Sequence, residues 1–138
     1  MLTEDYCSYE VSKLLKEKGF DWMCHGSYHI EYPKNKIVWL PKPVNDDGQI
    51  FMNAPTHQMA MKWLREEKKT AIIIEFDLTK RGFCPYVYQL DYDMDWVIKW
   101  RINIPMKYEE AVEAALKYCL TDSFFEDFEE NEDSIECV

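Results

Sequence analysis

Cys24, His25 and His29 are the closest group of metal-capable side chains in this 138-residue sequence. Thiol and imidazole are the ligands zinc prefers, but a structural zinc site closes with four of them, in motifs such as C-x2-4-C paired with H-x3-5-H. The spacing here matches no such motif and offers no fourth ligand, so the three read as ordinary residues and no metal is assigned. Asp91-Tyr-Asp-Met-Asp95 places aspartates at the first, third and fifth positions of an EF-hand loop. Its sixth position is Trp96 where the sharp turn needs glycine, and its twelfth is Ile102 where calcium needs a bidentate glutamate. The stretch reads as the end of a hairpin with solvated acids. Neither G-x-S-x-G, H-E-x-x-H, G-x-x-x-x-G-K-[ST] nor G-x-G-x-x-G occurs. With no nucleophile, base and orienting group to name together, no catalytic residue and no cofactor are assigned, and the expectation is a protein that is not an enzyme.

Two other constellations suit binding. Lys99 and Arg101 alternate onto the outer face of one strand, and Lys62, Arg65 and Lys69 share one side of a helix. Such cations near aromatic rings could hold a nucleotide or another phosphorylated small molecule, although Lys and Arg are also the usual occupants of solvated faces. Near the C-terminus, Leu120, Phe124, Phe125 and Phe128 recur at helical spacing among Glu126, Asp127, Glu129 and Glu130. An apolar stripe set in carboxylates can dock into a partner's groove while its charge selects a basic surface. The bland counterpart is a last helix that runs on and frays into a solubilising end.

The charge is partitioned to match. The chain carries a formal charge of -10, yet residues 1–120 hold 18 acids and all 16 bases, while residues 121–138 hold 8 acids and no base. Excess negative charge argues against general nucleic-acid binding, which depends on Lys and Arg neutralising phosphates, so nucleic acid enters only through mimicry by the acidic end. Five cysteines without a C-x-x-C pair favour a reducing compartment over a disulfide framework. The longest strongly apolar run, Ala71-Ile-Ile-Ile74, is far too short for a membrane helix, and the opening Met-Leu-Thr-Glu-Asp-Tyr is no signal peptide. The expectation is a cytoplasmic protein.

The elements that must position these residues follow from periodicity. Val11, Leu14 and Leu15 mark a helix over residues 8–18, with Ser8 as its cap and Gly19 beyond its end. Short strands are expected at 27–32 and 36–40, bounded by Pro33, Pro41 and Pro43. A second helix starts at Ala54-Pro55-Thr56 and runs to about Lys69. Three strands follow, at 71–78, 84–92 and 96–104, and their short connections require an antiparallel meander. In the second, Tyr86, Tyr88, Leu90 and Tyr92 share one face, taken as the core side, against Val87, Gln89 and Asp91. In the third, Trp96, Ile98, Trp100, Ile102 and Ile104 are taken as the core side. A last helix spans 107–120. The order α-(β)-α-β-β-β-α predicts a two-layer α+β domain over 1–120, with three helices largely on one face of an antiparallel sheet, followed by an acidic tail over 121–138.

Three helical stretches carry a resemblance: Val11-Ser-Lys-Leu-Leu-Lys-Glu-Lys-Gly-Phe-Asp21, Ala54-Pro-Thr-His-Gln-Met-Ala-Met-Lys-Trp-Leu-Arg-Glu66 and Tyr108-Glu-Glu-Ala-Val-Glu-Ala-Ala-Leu-Lys-Tyr-Cys-Leu120. In this order the chain resembles a family of short uncharacterised proteins from gut-bacterial phages, prophages and mobile elements. The family has no assigned activity, so the resemblance implies a genomic context, with the host bacterial cytoplasm as location, and transfers no site residue. The chain departs from the pattern in continuing past its last helix and in carrying Lys107 where a capping Thr or Ser is expected. Together these readings predict a non-enzymatic accessory protein that binds a protein partner, with the acidic end as the contact.

Overall fold

The computed structural model describes residues 5–29, 37–44, 51–121 and 136–137. Its element order is α1 (Tyr9–Glu17), β1 (Cys24–His29), β2 (Ile37–Val44), β3 (Phe51–Asn53), α2 (His57–Glu67), β4 (Thr70–Asp77), β5 (Gly82–Leu90), β6 (Trp96–Arg101), α3 (Tyr108–Cys119) and β7 (Glu136–Cys137). The fold is α+β, in the order expected. The strands divide between a three-stranded sheet ordered β2-β1-β3 and a four-stranded sheet ordered β4-β5-β6-β7. Two compact units result, one ending at Ala60 and the other beginning at Met61.

In the first unit the helix signals act as expected. The Val11 amide donates to the Ser8 hydroxyl oxygen at 3.2 Å, capping α1. Gly19, at φ +98°, provides the left-handed turn that ends it. Both β2 and β3 pair antiparallel with β1. Pro41 and Pro43, expected to bound a strand, lie inside β2 instead. The reason is position: β2 is an edge strand, where a missing N–H need not interrupt a ladder. Tyr28, Met52 and Ala54 form the unit's buried centre against Tyr6, Tyr9 and Ile37. The Tyr28 hydroxyl donates to the Cys7 carbonyl at 2.7 Å, which satisfies the one polar atom that ring brings inside.

In the second unit β4, β5 and β6 form the expected antiparallel meander, covered by α3. The small residues Ala111 and Ala115, with Val112, Leu116 and Cys119, make the buried stripe of α3. The face of β5 that they cover is the reverse of the expected one. Val87 and Gln89 are buried, whereas Tyr86, Tyr88 and Leu90 are only half-buried. Tyrosine tolerates that position because its hydroxyl can stay wet while its ring covers the sheet. Trp100 does reach the core side, where it stacks on Tyr118 of α3 at 4.6 Å between ring centroids. It does so through a β-bulge. Val87 faces Trp100 and Tyr88 faces Ile98, leaving Lys99 as the extra residue.

Beyond α3 the chain returns to the sheet. Glu136 and Cys137 pair with Trp100 and Arg101 in parallel, on the free edge of β6. A parallel neighbour requires a crossover of a dozen residues or more, and α3 with the segment after it supplies one. Among the described residues no helix is long and apolar enough to cross a membrane.

Candidate functional site

The first unit contains a shallow cleft of about 100 Å³, open to solvent, lined by Tyr6, Met23, Cys24, His25, Gly26, Ala54, Pro55, Thr56 and Met59. Its walls come from three segments tied together by backbone bonds. The Cys7 amide donates to Pro55 O at 2.9 Å and the Ala54 amide to Gly26 O at 2.8 Å, while Tyr6 and Thr56 form an antiparallel bridge. Gly26 is required here, because a Cβ would stand 2.6 Å from the Tyr6 ring and 2.9 Å from Ala54 O. Thr56 is the cap of α2 rather than part of the helix: its hydroxyl oxygen accepts from the Met59 amide at 3.2 Å. That bond fixes Met59 in the first turn.

Met59 Sδ meets Cys24 Sγ at 3.6 Å, with the thiol also 3.4 Å from Trp22 O. Burial pushes the Cys24 thiol up to about 11, so at neutral pH it is a protonated, unreactive sulfur. The strand is irregular between Cys24 and Gly26, where the pairing shifts from Val44 to Trp39. Regular alternation would send Cys24 and His25 to opposite faces; the irregularity lets both line one cleft. The sequence singles out Cys24 and His25 as metal-capable and Met59 only as part of a helix's apolar face. The only available signal was the apolar face of the second helix, which serves equally well for packing.

In the second unit the bulge separates the two cations expected to act together. Lys99 follows Trp100 to the buried side and is 7% exposed, whereas Arg101 faces Tyr86 on the opposite side of the sheet. There Glu75 and Arg101 flank Tyr86. Its hydroxyl is pushed above the ordinary tyrosine range by burial first, then by Glu75 and Cys84, against a lowering by Arg101.

The hairpin between β5 and β6 is the most exposed apolar feature of this unit that carries aromatic rings. Tyr92 is 67%, Met94 70% and Trp96 49% exposed, interleaved with Asp91, Asp93 and Asp95. Asp91 braces the turn: its Oδ1 accepts from the Asp95 amide at 2.8 Å, and its own amide donates to Asp95 O, also at 2.8 Å. Met94 adopts φ +65° at its tip. Among the described residues no three His, Cys, Asp or Glu side chains gather as a metal would need. Phe124, Phe125, Glu126, Asp127, Phe128, Glu129 and Glu130 lie outside the described residues, as does the side chain of His29. No family model matches the chain, and comparison with curated proteins and with solved structures finds no match.

Proposed function

We propose that this chain is a non-enzymatic accessory protein of a phage or mobile element, working in the host bacterial cytoplasm by binding another protein. The observation that carries the reading is the β5–β6 hairpin tip, where Tyr92, Met94 and Trp96 stand exposed on a hydrogen-bonded turn among three aspartates. Rigid aromatic anchors of this kind dominate protein interfaces, and the carboxylates around them favour a basic partner with an apolar recess. Residues 121–138 repeat that chemistry in sequence, with three phenylalanines among 8 acids, so they serve as a second contact to the same kind of surface. The parallel pairing of β7 ties Glu136 and Cys137 to β6.

That tether decides the experiment. Truncation at Leu120 would remove a strand of the sheet as well as a binding segment, so substitutions in the full chain are the cleaner test. The protein and its Tyr92→Ala/Trp96→Ala and Phe124→Ala/Phe128→Ala variants are used as bait in host lysate at low and high salt. A defined protein that both double variants lose, and that weakens with salt, supports the reading. Equal capture by all three baits, or turnover of a substrate by the purified chain, would refute it.

A further inference from the structure

An antiparallel sheet with one face on the core ordinarily turns polar residues to solvent on the other. The meander of the second unit does not. On the side opposite Val87 and Gln89, two rows cross it in register, Ala71–Tyr88–Ile98 and Ile73–Tyr86–Arg101. All six are half-buried except Ile73, which is 50% exposed. Among the described residues of β4, β5 and β6, only Glu75, Asp77 and Arg101 bring charge to this side. Asp77 is engaged at the end of β4, where its Oδ1 accepts from the Thr79 and Lys80 amides at 2.9 and 3.0 Å. We propose that this face is an interface between two copies of the chain, packed sheet on sheet about a twofold axis close to Tyr86.

The charges choose the partner. Glu75 lies on β4 and Arg101 on β6, the two strands that flank β5 and its Tyr86. An interface of two identical patches must complement itself. A twofold axis near Tyr86 exchanges the flanks, so Glu75 of each copy meets Arg101 of the other while the apolar rows close at the usual sheet separation of about 10 Å. The contacts each group makes within its own copy leave room for this. Glu75 already hydrogen-bonds the Tyr86 hydroxyl, but a carboxylate has about four acceptor sites and a guanidinium five donors. A partner chosen by one sign of charge needs that sign to dominate, as at the hairpin with its three aspartates; here one acid balances one base. Balance also favours self-association in a chain of formal charge -10, whose copies repel wherever facing surfaces carry that excess.

The interface goes beyond the partner binding proposed above, and none of its test variants touches the hairpin tip. The test is sedimentation equilibrium of the reduced, full-length protein from micromolar to submillimolar concentration, followed by native mass spectrometry. The parent's mass is expected to double as concentration rises. Ile73→Lys changes an exposed side chain, so it keeps the thermal midpoint of the dilute protein while weakening association by roughly tenfold or more, because it sets a lysine of each copy against the other's Arg101 side. Glu75→Arg and Arg101→Glu each weaken association comparably by opposing like charges. Mixed in equal amounts, these two variants should form a mixed dimer in preference to either dimer of one kind, since both cross pairs are then restored. The proposal is overturned if the parent stays monomeric at every concentration, or if Ile73→Lys associates as tightly as the parent. It is equally overturned if the mixture shows no preference for the mixed dimer. Any of these results leaves the hairpin reading standing, because that reading is scored by capture with the Tyr92 and Trp96 variant.

Discussion

Lys107 offers a stabilising substitution whose size can be worked from a comparison inside the molecule. It occupies the cap of α3 with φ -67° and ψ 153°, yet its side chain makes no capping hydrogen bond. Ser8 caps α1 from nearly the same backbone, φ -63° and ψ 165°, and its hydroxyl accepts from the Val11 amide. The geometry is therefore ready and only the acceptor is missing. Lys107→Ser supplies it, and because Glu110 sits three residues on, the change also completes a capping box. Replacing a non-capping residue by serine at such a site gives about 1 kcal/mol, within a range of roughly 0.5–2. A few tenths more come from removing a cation beside the positive end of the helix dipole. For a chain of this length, 1 kcal/mol raises the thermal midpoint by about 4 °C. Lys107→Ala isolates the charge, since it removes the cation and adds no acceptor. Urea denaturation at constant slope should order the stabilities as Lys107→Ser above Lys107→Ala, with Ser8→Ala below the parent by about 1 kcal/mol. Equal midpoints for the two Lys107 variants would show that the cap geometry is not formed in solution.

Gln89 is 3% exposed, its Nε2 reaches Thr70 Oγ1 only at 3.5 Å, and its Oε1 has no hydrogen-bond partner. Gln89→Met should be neutral or stabilising by about 1 kcal/mol, because it removes an unsatisfied buried group while Thr70 keeps its bond to Lys68 O; a clear loss in chemical denaturation would contradict this. Alkaline stability should fall in a defined window. Burial in the folded state raises Cys24 to about 11 and Cys119 further still, and Tyr86 is raised as well, so each contributes stability fully below its unfolded value that is lost as pH rises through the folded one. Unfolding free energy should therefore decline from about pH 9 upward, and Cys24→Ala should make that decline shallower between about pH 9 and 11 without abolishing it, because Cys119 contributes over the same range.

How much of this could be read from sequence depends on whether the deciding contact is local. The α1 and α3 helices were legible because cap, stripe and stop lie within one segment: Ser8 to Gly19, and Ala111 to Cys119 at helical spacing. The meander was legible for the same reason, since Asp77–Gly82 and Asp91–Asp95 are turns too short for any crossover. Which face of β5 goes inside was not legible, because both faces are rich in groups that tolerate burial. The choice fell to the packing of α3 on the sheet, where Ala111, Ala115 and Val87 are all fully buried while the tyrosines of β5 stay half-buried. The bulge at Lys99 leaves no mark on the sequence, yet it alone moves one of two adjacent-looking cations across the sheet. The edge position of β2, which makes Pro41 and Pro43 harmless, is likewise a property of the assembled sheet.

The candidate sites divide along the same line. The hairpin tip could be seen in advance as a turn carrying acids, and only its exposure was missing. The Cys24–Met59 contact joins a strand to a helix cap, and neither residue announces the other. A cysteine in a strand and a methionine on a helix each have a sufficient packing reason taken alone. Packing alone would account for the buried pair.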